Sequence, residues 1–285
     1  MKIIDILITH PKGVAFEFFP PRTDAGRNAL VTTVRALEGY NPLYTSMTYG
    51  ALGSTQERTR EATYMLLEHK SITVMPHLTC IGATAASIGS LLDEYKAKGL
   101  ENIMALRGDV PQGVTDFDFS KQEFPYARQL VSFIRAYNHF CIGVAVYPEG
   151  HLEDVSFDVH LEYMKRKIDA GASFAVTQMF FDNSYFYAFI ERLRKEGITI
   201  PILPGILPLT DIQKARQFCS TCKVSIPDVL AARLDAYREK PPEMLAAGIE
   251  ATIAQCRDLI AHGYQQLHFF TLNKPEVMKA ILSAI

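Results

Sequence analysis

Val14-Ala15-Phe16-Glu17-Phe18-Phe19, cut off by Pro20-Pro21, is a short aromatic and β-branched run, and a stretch of helical period, Ala25–Leu37, follows it directly. The run predicts a strand, and two prolines in series cannot continue one. The same strand-then-helix unit recurs to the end of the chain. Further strands are predicted at Leu43–Tyr49, Ile72–Cys80, Asn102–Arg107, Cys141–Tyr147, Phe174–Met179, Ile200–Ile206 and Leu267–Thr271. Helices are predicted at Thr55–Lys70, Ala85–Lys98, Tyr126–Tyr137, Asp158–Ala170, Ser184–Glu196, Asp211–Phe218 and Pro275–Ala284. Ser54 with Glu57 reads as a capping box, Thr84 and Asn183 as N-caps, and Gly99, Gly171 and Gly197 as left-handed residues that close helices. Eight such units, with no block of strands alone, predict an α/β chain whose parallel strands close into a (β/α)8 TIM barrel, a single domain over 1–285. A doubly wound open sheet is the competing arrangement. An irregular helical insertion, Ile226–Gly263, precedes the last strand.

Composition narrows the function classes. Of 285 residues, 48% are hydrophobic, enough for a large core without disulfides or structural metal. Lys+Arg number 29 against Asp+Glu 31, so no basic excess argues for nucleic acid. The most hydrophobic stretch, Ile200–Leu209, is broken by Pro201, Pro204 and Pro208, so no membrane span is expected. Five cysteines, Cys80, Cys141, Cys219, Cys222 and Cys256, form an odd and sparse set suited to free thiols in a reducing cytoplasm. Cys219-x-x-Cys222 has no partner pair and reads as helix-end cysteines rather than a metal site. Missing too are a G-x-G-x-x-G fingerprint, a Walker A loop and a G-x-S-x-G elbow, which disfavours a Rossmann dinucleotide site, a P-loop and a serine hydrolase.

In a barrel of this kind chemistry sits at the carboxyl ends of the strands. Glu17, Thr48, Tyr49, His77, Arg107-Gly108-Asp109, Tyr147, Glu149 and Gln178 all fall there. Strand alternation points Val14, Phe16 and Phe18 at the helices and Glu17, with Ala15 and Phe19, into the barrel. A carboxylate among so many aromatics is expected to have a raised pKa, which suits a general acid near neutral pH. The plainer alternative is a strand-end Glu satisfied by a neighbouring Lys or Arg. Gly108 would let backbone approach a ligand between the opposite charges of Arg107 and Asp109, or those two would form an ion pair at the barrel mouth. His77 has no second ligand at metal spacing.

These segments, taken in order, resemble the 5,10-methylenetetrahydrofolate reductases, flavin-dependent enzymes of one-carbon metabolism and methionine biosynthesis. The resemblance rests on Phe16-Glu17-Phe18-Phe19-Pro20-Pro21, Thr48-Tyr49-Gly50, Pro76-His77-Leu78-Thr79-Cys80 and Ala105-Leu106-Arg107-Gly108-Asp109. It continues through Tyr147-Pro148-Glu149, Thr177-Gln178, Pro204-Gly205-Ile206 and His268-Phe269-Phe270-Thr271-Leu272-Asn273. It implies a barrel that binds FAD without a Rossmann fold, takes hydride from NADH or NADPH, and reduces methylenetetrahydrofolate in a second half-reaction on the same flavin face. By the resemblance Glu17 is the general acid, and Asp109 is the carboxylate near flavin and pterin. Gln178 meets folate and nicotinamide in turn, and Phe218 stacks on the nicotinamide cofactor. Thr48, His77, Arg107, Gly108, Tyr126, Ala127, Tyr147, His151, Arg166 and Lys167 fall on flavin-contacting positions, with Thr48 and Lys274 also directed to substrate. His160 and Tyr163 stand where relatives often carry a carboxylate and an amide, and Lys274 where some carry Arg. The loop Thr115–Glu123 is longer than in close relatives. A homo-oligomer is implied. Because about a dozen residues follow Asn273, a C-terminal regulatory domain answering to S-adenosylmethionine is not expected. Two other classes share these features: a flavin-free barrel transferring a folate one-carbon group, and a silent binding barrel.

Overall fold

The computed structural model describes residues 1–49, 54–69, 71–110, 117–151 and 156–285, with backbone alone at 54–56. Gly50, Lys70, Thr115 and the side chain of Ser54, named above, lie outside the described residues. In chain order the elements are α1 (Ile3–Thr9), β1 (Gly13–Phe18), α2 (Asp24–Glu38), β2 (Thr45–Met47), α3 (Ser54–Leu67), β3 (Val74–Thr79), α4 (Ala85–Ala97) and β4 (Asn102–Leu106). After a 3-10 turn at Phe119–Lys121 come α5 (Ala127–Ala136), β5 (Cys141–Val146), α6 (Phe157–Asp169), β6 (Phe174–Met179), α7 (Asn183–Lys195) and β7 (Ile202–Ile206). The chain then runs through α8 (Ile212–Cys222), α9 (Asp228–Asp235), α10 (Pro241–Ala261), β8 (Gln266–Phe270) and α11 (Pro275–Leu282). Each strand pairs in parallel with the next, and β8 closes on β1 with Ala15 opposite His268 and Glu17 opposite Phe270. The sheet is a closed eight-stranded barrel and not the open alternative.

Local chemistry sets the boundaries. Thr84 caps α4, taking the Ser87 N–H while the Ser87 hydroxyl takes the Thr84 N–H. Gly99, Gly171 and Gly197 each follow a helix at positive φ. One cap differs from expectation. Asp182, not Asn183, caps α7 by accepting from Ser184 N, because Asn183 turns its amide to the Gln255 carbonyl and Asp258. The insertion is also more regular than expected: α10 runs unbroken for 21 residues from Pro241. A Cβ on its Gly248 would lie 1.8 Å from the Leu209 carbonyl oxygen, so only glycine lets this helix lie against the chain leaving β7.

Side-chain alternation divides the core in two. Phe16 and Phe18 pack outward with Leu30, Val34 and Leu37 of α2 and the rest of the helical layer. Ala15, Tyr44, Met75, Met104, Phe174, Val176 and Leu203 fill the barrel's interior together with Ile3, Ile6 and Leu7 of α1. Helix α1 thus plugs the amino-terminal end of the barrel. Asn102, itself buried, accepts the Ile3 N–H at 2.7 Å and donates to the Met1 carbonyl at 3.0 Å, which ties the plug to β4. With that end filled, the open space lies at the opposite, carboxyl end.

Candidate active site

Glu17 is buried at the carboxyl end of β1, opposite Ser46 of β2. Among the described residues, its side-chain hydrogen bonds and ion pairs fall on one oxygen, Oε2. Ser46 Oγ donates to it at 3.3 Å, and His268 Nε2 of β8 lies at 3.1 Å. His77 Nε2 of β3 is 3.2 Å away but off the line of a hydrogen bond, so that contact is one of charge. Behind His268, the hydroxyl of buried Tyr44, just before β2, meets Nδ1 at 3.0 Å.

This grouping overturns the expected acidity. Burial does push the Glu17 carboxyl up, but the charge of His77 and then the hydrogen bond from His268 outweigh it and hold the carboxyl well below its usual range. The phenylalanines next to Glu17 in sequence face the helices; its neighbours inside the barrel are imidazoles and a hydroxyl. The alternative of a neighbouring Lys or Arg does not hold either, since the basic side chains against it are the two histidines.

Glu17 lies in the wall of a cavity of about 780 Å³ at the barrel mouth, lined also by His77, Arg107, Gly108, Asp109, Tyr147, His151, Gln178 and Phe218. Arg107, Ala145, Tyr147 and His151 are shared with a groove of about 350 Å³ that continues outward past Tyr126, Ala127, Tyr163, Arg166 and Lys167. Gly108 turns the chain at φ +88°, and a Cβ there would lie 2.7 Å from Ile81 Cγ2 and 3.0 Å from Thr79 Cβ. Arg107 does not pair with Asp109 in a salt bridge; its guanidinium lies 4.3 Å over the Phe119 ring. Lys167 donates to the Ala145 carbonyl at 2.6 Å, and Arg166 pairs with Glu162 on the solvent side of α6. Near-parallel rings of Tyr126 and Tyr163, 6.4 Å apart, flank the outer groove.

Most residues expected at the site therefore meet there. Thr48 is just beyond β2, where its carbonyl accepts from Thr59, and the adjacent Tyr49 lines the cavity instead. Lys274 also stands outside the lining, with its ammonium on Thr210 Oγ1 at 3.1 Å and lowered in pKa by burial and by Lys214. Glu149 is turned away to the Ser225 N–H and hydroxyl. The sequence alone does not show Ser46 and His268 as partners of Glu17, nor Tyr44 behind His268. His268 was visible in the His268–Asn273 segment, but its role depends on β8 closing against β1. The Cys219 thiol is pushed up to about 11, chiefly by burial, and Cys222 is also raised.

A flavin dinucleotide fits these residues on the structure's own terms. Thr79 Oγ1 and His77 Nε2 are buried without a hydrogen-bond partner, beside the glycine-turned backbone at 108. The outward groove adds aromatic walls and two cations, a donor set suited to a ring system and a pyrophosphate.

Comparison with known proteins agrees with this arrangement. A family model described as methylenetetrahydrofolate reductase matches residues 2–285. The 5,10-methylenetetrahydrofolate reductase of Escherichia coli K12 is 35% identical over 268 residues, covering 94% of this chain and 88% of that one. Methylenetetrahydrofolate reductase (NADH) 1 of Arabidopsis thaliana is 35% identical over 96% of this chain, and methylenetetrahydrofolate reductase 1 of Schizosaccharomyces pombe 34% over 100%. The chain spans about half the length of these two, 49% and 48%. Among solved structures, a Clostridium thermocellum protein binding two copies of 5-methyl-5,6,7,8-tetrahydrofolic acid superposes with TM-score 0.70 at 12% identity, covering 98% of this chain and 96% of that one. Oxaloacetate acetylhydrolase, solved with oxalate, shares the fold at TM-score 0.57 and 11% identity, over 99% of this chain and 83% of that one. With a family match that runs almost end to end and a bacterial relative covered over most of its own length, the chain belongs to the methylenetetrahydrofolate reductase family.

Proposed function

We propose that this chain reduces 5,10-methylenetetrahydrofolate to 5-methyltetrahydrofolate, using NADH or NADPH and an FAD held across the cavity and its outer groove. The observation that carries the reading is Glu17, a buried carboxylate among imidazoles in the wall of the barrel-mouth cavity of a chain of this family. The Clostridium thermocellum protein of the same fold binds 5-methyl-5,6,7,8-tetrahydrofolic acid, which supports a folate as ligand. Bound there, FAD would supply the redox chemistry, accepting hydride from the nicotinamide and returning it to the folate methylene carbon.

The chain's residues supply the rest. Arg166 and Lys167 are placed for the pyrophosphate, with Tyr126, Ala127, Tyr147, His151, Arg107 and Thr48 along the cofactor. Gly108 lets backbone come close, and the unbonded His77 Nε2 and Thr79 Oγ1 are available to a ring edge. Glu17 delivers the proton to folate N10 that opens the five-membered ring to an iminium cation. Asp109 sets a negative charge where that cation develops. Gln178 orients folate and nicotinamide in turn, Phe218 offers its half-exposed ring to the nicotinamide, and Lys274 meets the folate tail carboxylate as a point charge. The same reading places the protein in the cytoplasm, as a homo-oligomer serving methionine biosynthesis.

The test is spectroscopic. The purified protein, incubated with FAD and desalted, should carry a flavin absorbance band that NADH or NADPH bleaches without air. Adding methylenetetrahydrofolate should restore the band and yield 5-methyltetrahydrofolate. A chain that retains no flavin, or a reduced flavin that folate leaves bleached, would refute the proposal.

A further inference from the structure

The hydroxyl of Tyr44 lies at the blind end of the Glu17 cluster, and the known reaction gives it no task. Tyr44 is fully buried and His268 is fully buried beside it, with ring centroids 5.7 Å apart. Phe270 packs edge-on against the imidazole at 5.4 Å. The ring lies with Nδ1 on the Tyr44 hydroxyl at 3.0 Å and Nε2 on Glu17 Oε2 at 3.1 Å.

Hydrogen counting then decides the protonation pattern. With the hydrogen on Nε2, Tyr44 donates to Nδ1, Nε2 donates to the carboxylate, and every group is satisfied. With the hydrogen on Nδ1, the Nε2 lone pair faces a carboxylate oxygen and the phenol hydrogen has no acceptor. With hydrogens on both nitrogens, the phenol must accept, and its own hydrogen is stranded in the barrel core. Burial raises the Tyr44 phenol well above its ordinary range, with Glu17 and Cys141 adding to the effect, so it remains a donor.

We propose that Tyr44 is a positioning residue that holds His268 as the neutral, Nε2-protonated tautomer, and so keeps the deliverable proton of the cluster on the cavity side. A proton on His268 would sit at a fully buried ring with no path to substrate. The Tyr44 hydroxyl disfavours that state. Among the described residues every hydrogen bond and ion pair of the Glu17 side chain is on Oε2, which leaves Oε1 to take up and release the proton at the cavity. The titratable groups facing His268 are Glu17 on β1, Tyr44 just before β2 and, through Glu17, His77 on β3, with Cys141 of β5 acting on Tyr44. β7 brings only Gly205 opposite His268.

The proposal rests on the folate-reductase reading for its use, but its test does not. The full chain, labelled with 15N-histidine and with flavin content recorded, gives imidazole nitrogen signals for its eight histidines, His268 being assigned by His268→Asn. At neutral pH His268 should show a protonated Nε2 and a bare, hydrogen-bonded Nδ1. Tyr44→Phe removes the stranded-hydrogen penalty of the charged state, so His268 should titrate about one pH unit or more higher than in the parent. In the flavin-loaded variant, reduction by NADH or NADPH should keep its rate, while reoxidation by methylenetetrahydrofolate should slow by about tenfold, with its pH profile displaced. A doubly protonated or Nδ1-protonated His268 in the parent overturns the proposal, whether or not the variant folds. So does Tyr44→Phe with unchanged His268 titration, or equal slowing of both half-reactions. The expected tautomer in a chain inactive toward folate would sink the functional reading and leave the role of Tyr44 intact.

Discussion

Replacing Glu17 by Gln separates the chemistry of this site from its architecture. Glutamine keeps the volume, and its carbonyl oxygen can still accept from Ser46 and His268, now at 3.3 and 3.1 Å. What it loses is the charge facing His77 at 3.2 Å. Hydrogen bonds to a charged acceptor contribute ~1.5–3 kcal/mol against ~0.5–1.5 for neutral pairs. Two such bonds weaken together by about 1–3 kcal/mol, partly offset because a charge no longer has to be buried. For a chain of this size that lowers Tm by a few degrees and leaves the barrel folded. The proton supplied to N10 contributes far more, about a hundred- to ten-thousand-fold in rate, or ~2.7–5.5 kcal/mol of barrier. Stopped-flow flavin absorbance should therefore find reduction by NADH or NADPH near the parental rate and reoxidation by methylenetetrahydrofolate slowed by at least about a hundredfold. Equal slowing of the two half-reactions would refute the assignment, because Glu17 would then be supporting the flavin site. An unimpaired folate half-reaction would mean that the proton comes from another group.

Glu17 also leaves a signature in stability. Its acidity is increased by folding, so its stabilisation is complete above the ordinary carboxylate value of 4.5 and declines as pH falls from there toward the folded value. The stability gap between parent and Glu17→Gln, measured by urea unfolding, should narrow below that pH; a gap that widens would show the sign to be wrong. Gly108→Ala forces a Cβ against Ile81 and Thr79 at positive φ and should cost about 1–3 kcal/mol, read as a lower Tm together with reduced bound flavin; normal flavin content would remove backbone approach from the account. Asn102→Ala strands the Ile3 N–H and loosens the α1 plug, so Tm should drop by several degrees while turnover at low temperature holds; an unchanged Tm would mean that α1 is held by its apolar contacts alone. Replacing Cys219 and Cys222 by serine should leave flavin content and turnover within about twofold, since a thiol held at about 11 is no nucleophile at neutral pH, and zinc released from the parent would show the opposite.

The barrel was legible because its information is local. Each unit carries its own strand run, cap and helix period, and closure needs only that eight of them follow in series. Where local signals were thin, the reading faltered. α1 has seven residues and one exposed face, too short for a periodic signal, although Ile3, Ile6 and Leu7 stand at the right spacing. α10 looked irregular because Pro241-Pro242 and Gly248 punctuate it. The prolines occupy the first turn, where no N–H is needed, and the glycine marks a packing contact. At α7 both Asp182 and Asn183 were competent caps, and only the distant Asp258 on α10 decided between them by drawing Asn183 away. The inward direction of Glu17 followed from strand parity. Its partners did not, because Ser46, His77 and His268 come from three other strands and meet it only through register.

That difference changes what Glu17 can be. Neighbours along the chain alone predict a carboxyl made weakly acidic by phenylalanines. Alternation sends those rings outward, and the space they were thought to fill holds two imidazoles and a hydroxyl on one oxygen. A carboxylate so placed is ionised at rest, so it cannot serve as an isolated acid with a tuned pKa. Groups this close exchange protons as a set, and the apparent acidity belongs to the set. Its members are unequal, however. His268 is sealed in the core and constrained by Tyr44 to remain neutral, whereas Glu17 and His77 both border the cavity. A proton taken up by the cluster is thereby confined to the two members that can reach a bound ring. In the proposed reaction, general-acid function thus comes from where the cluster allows its proton to reside.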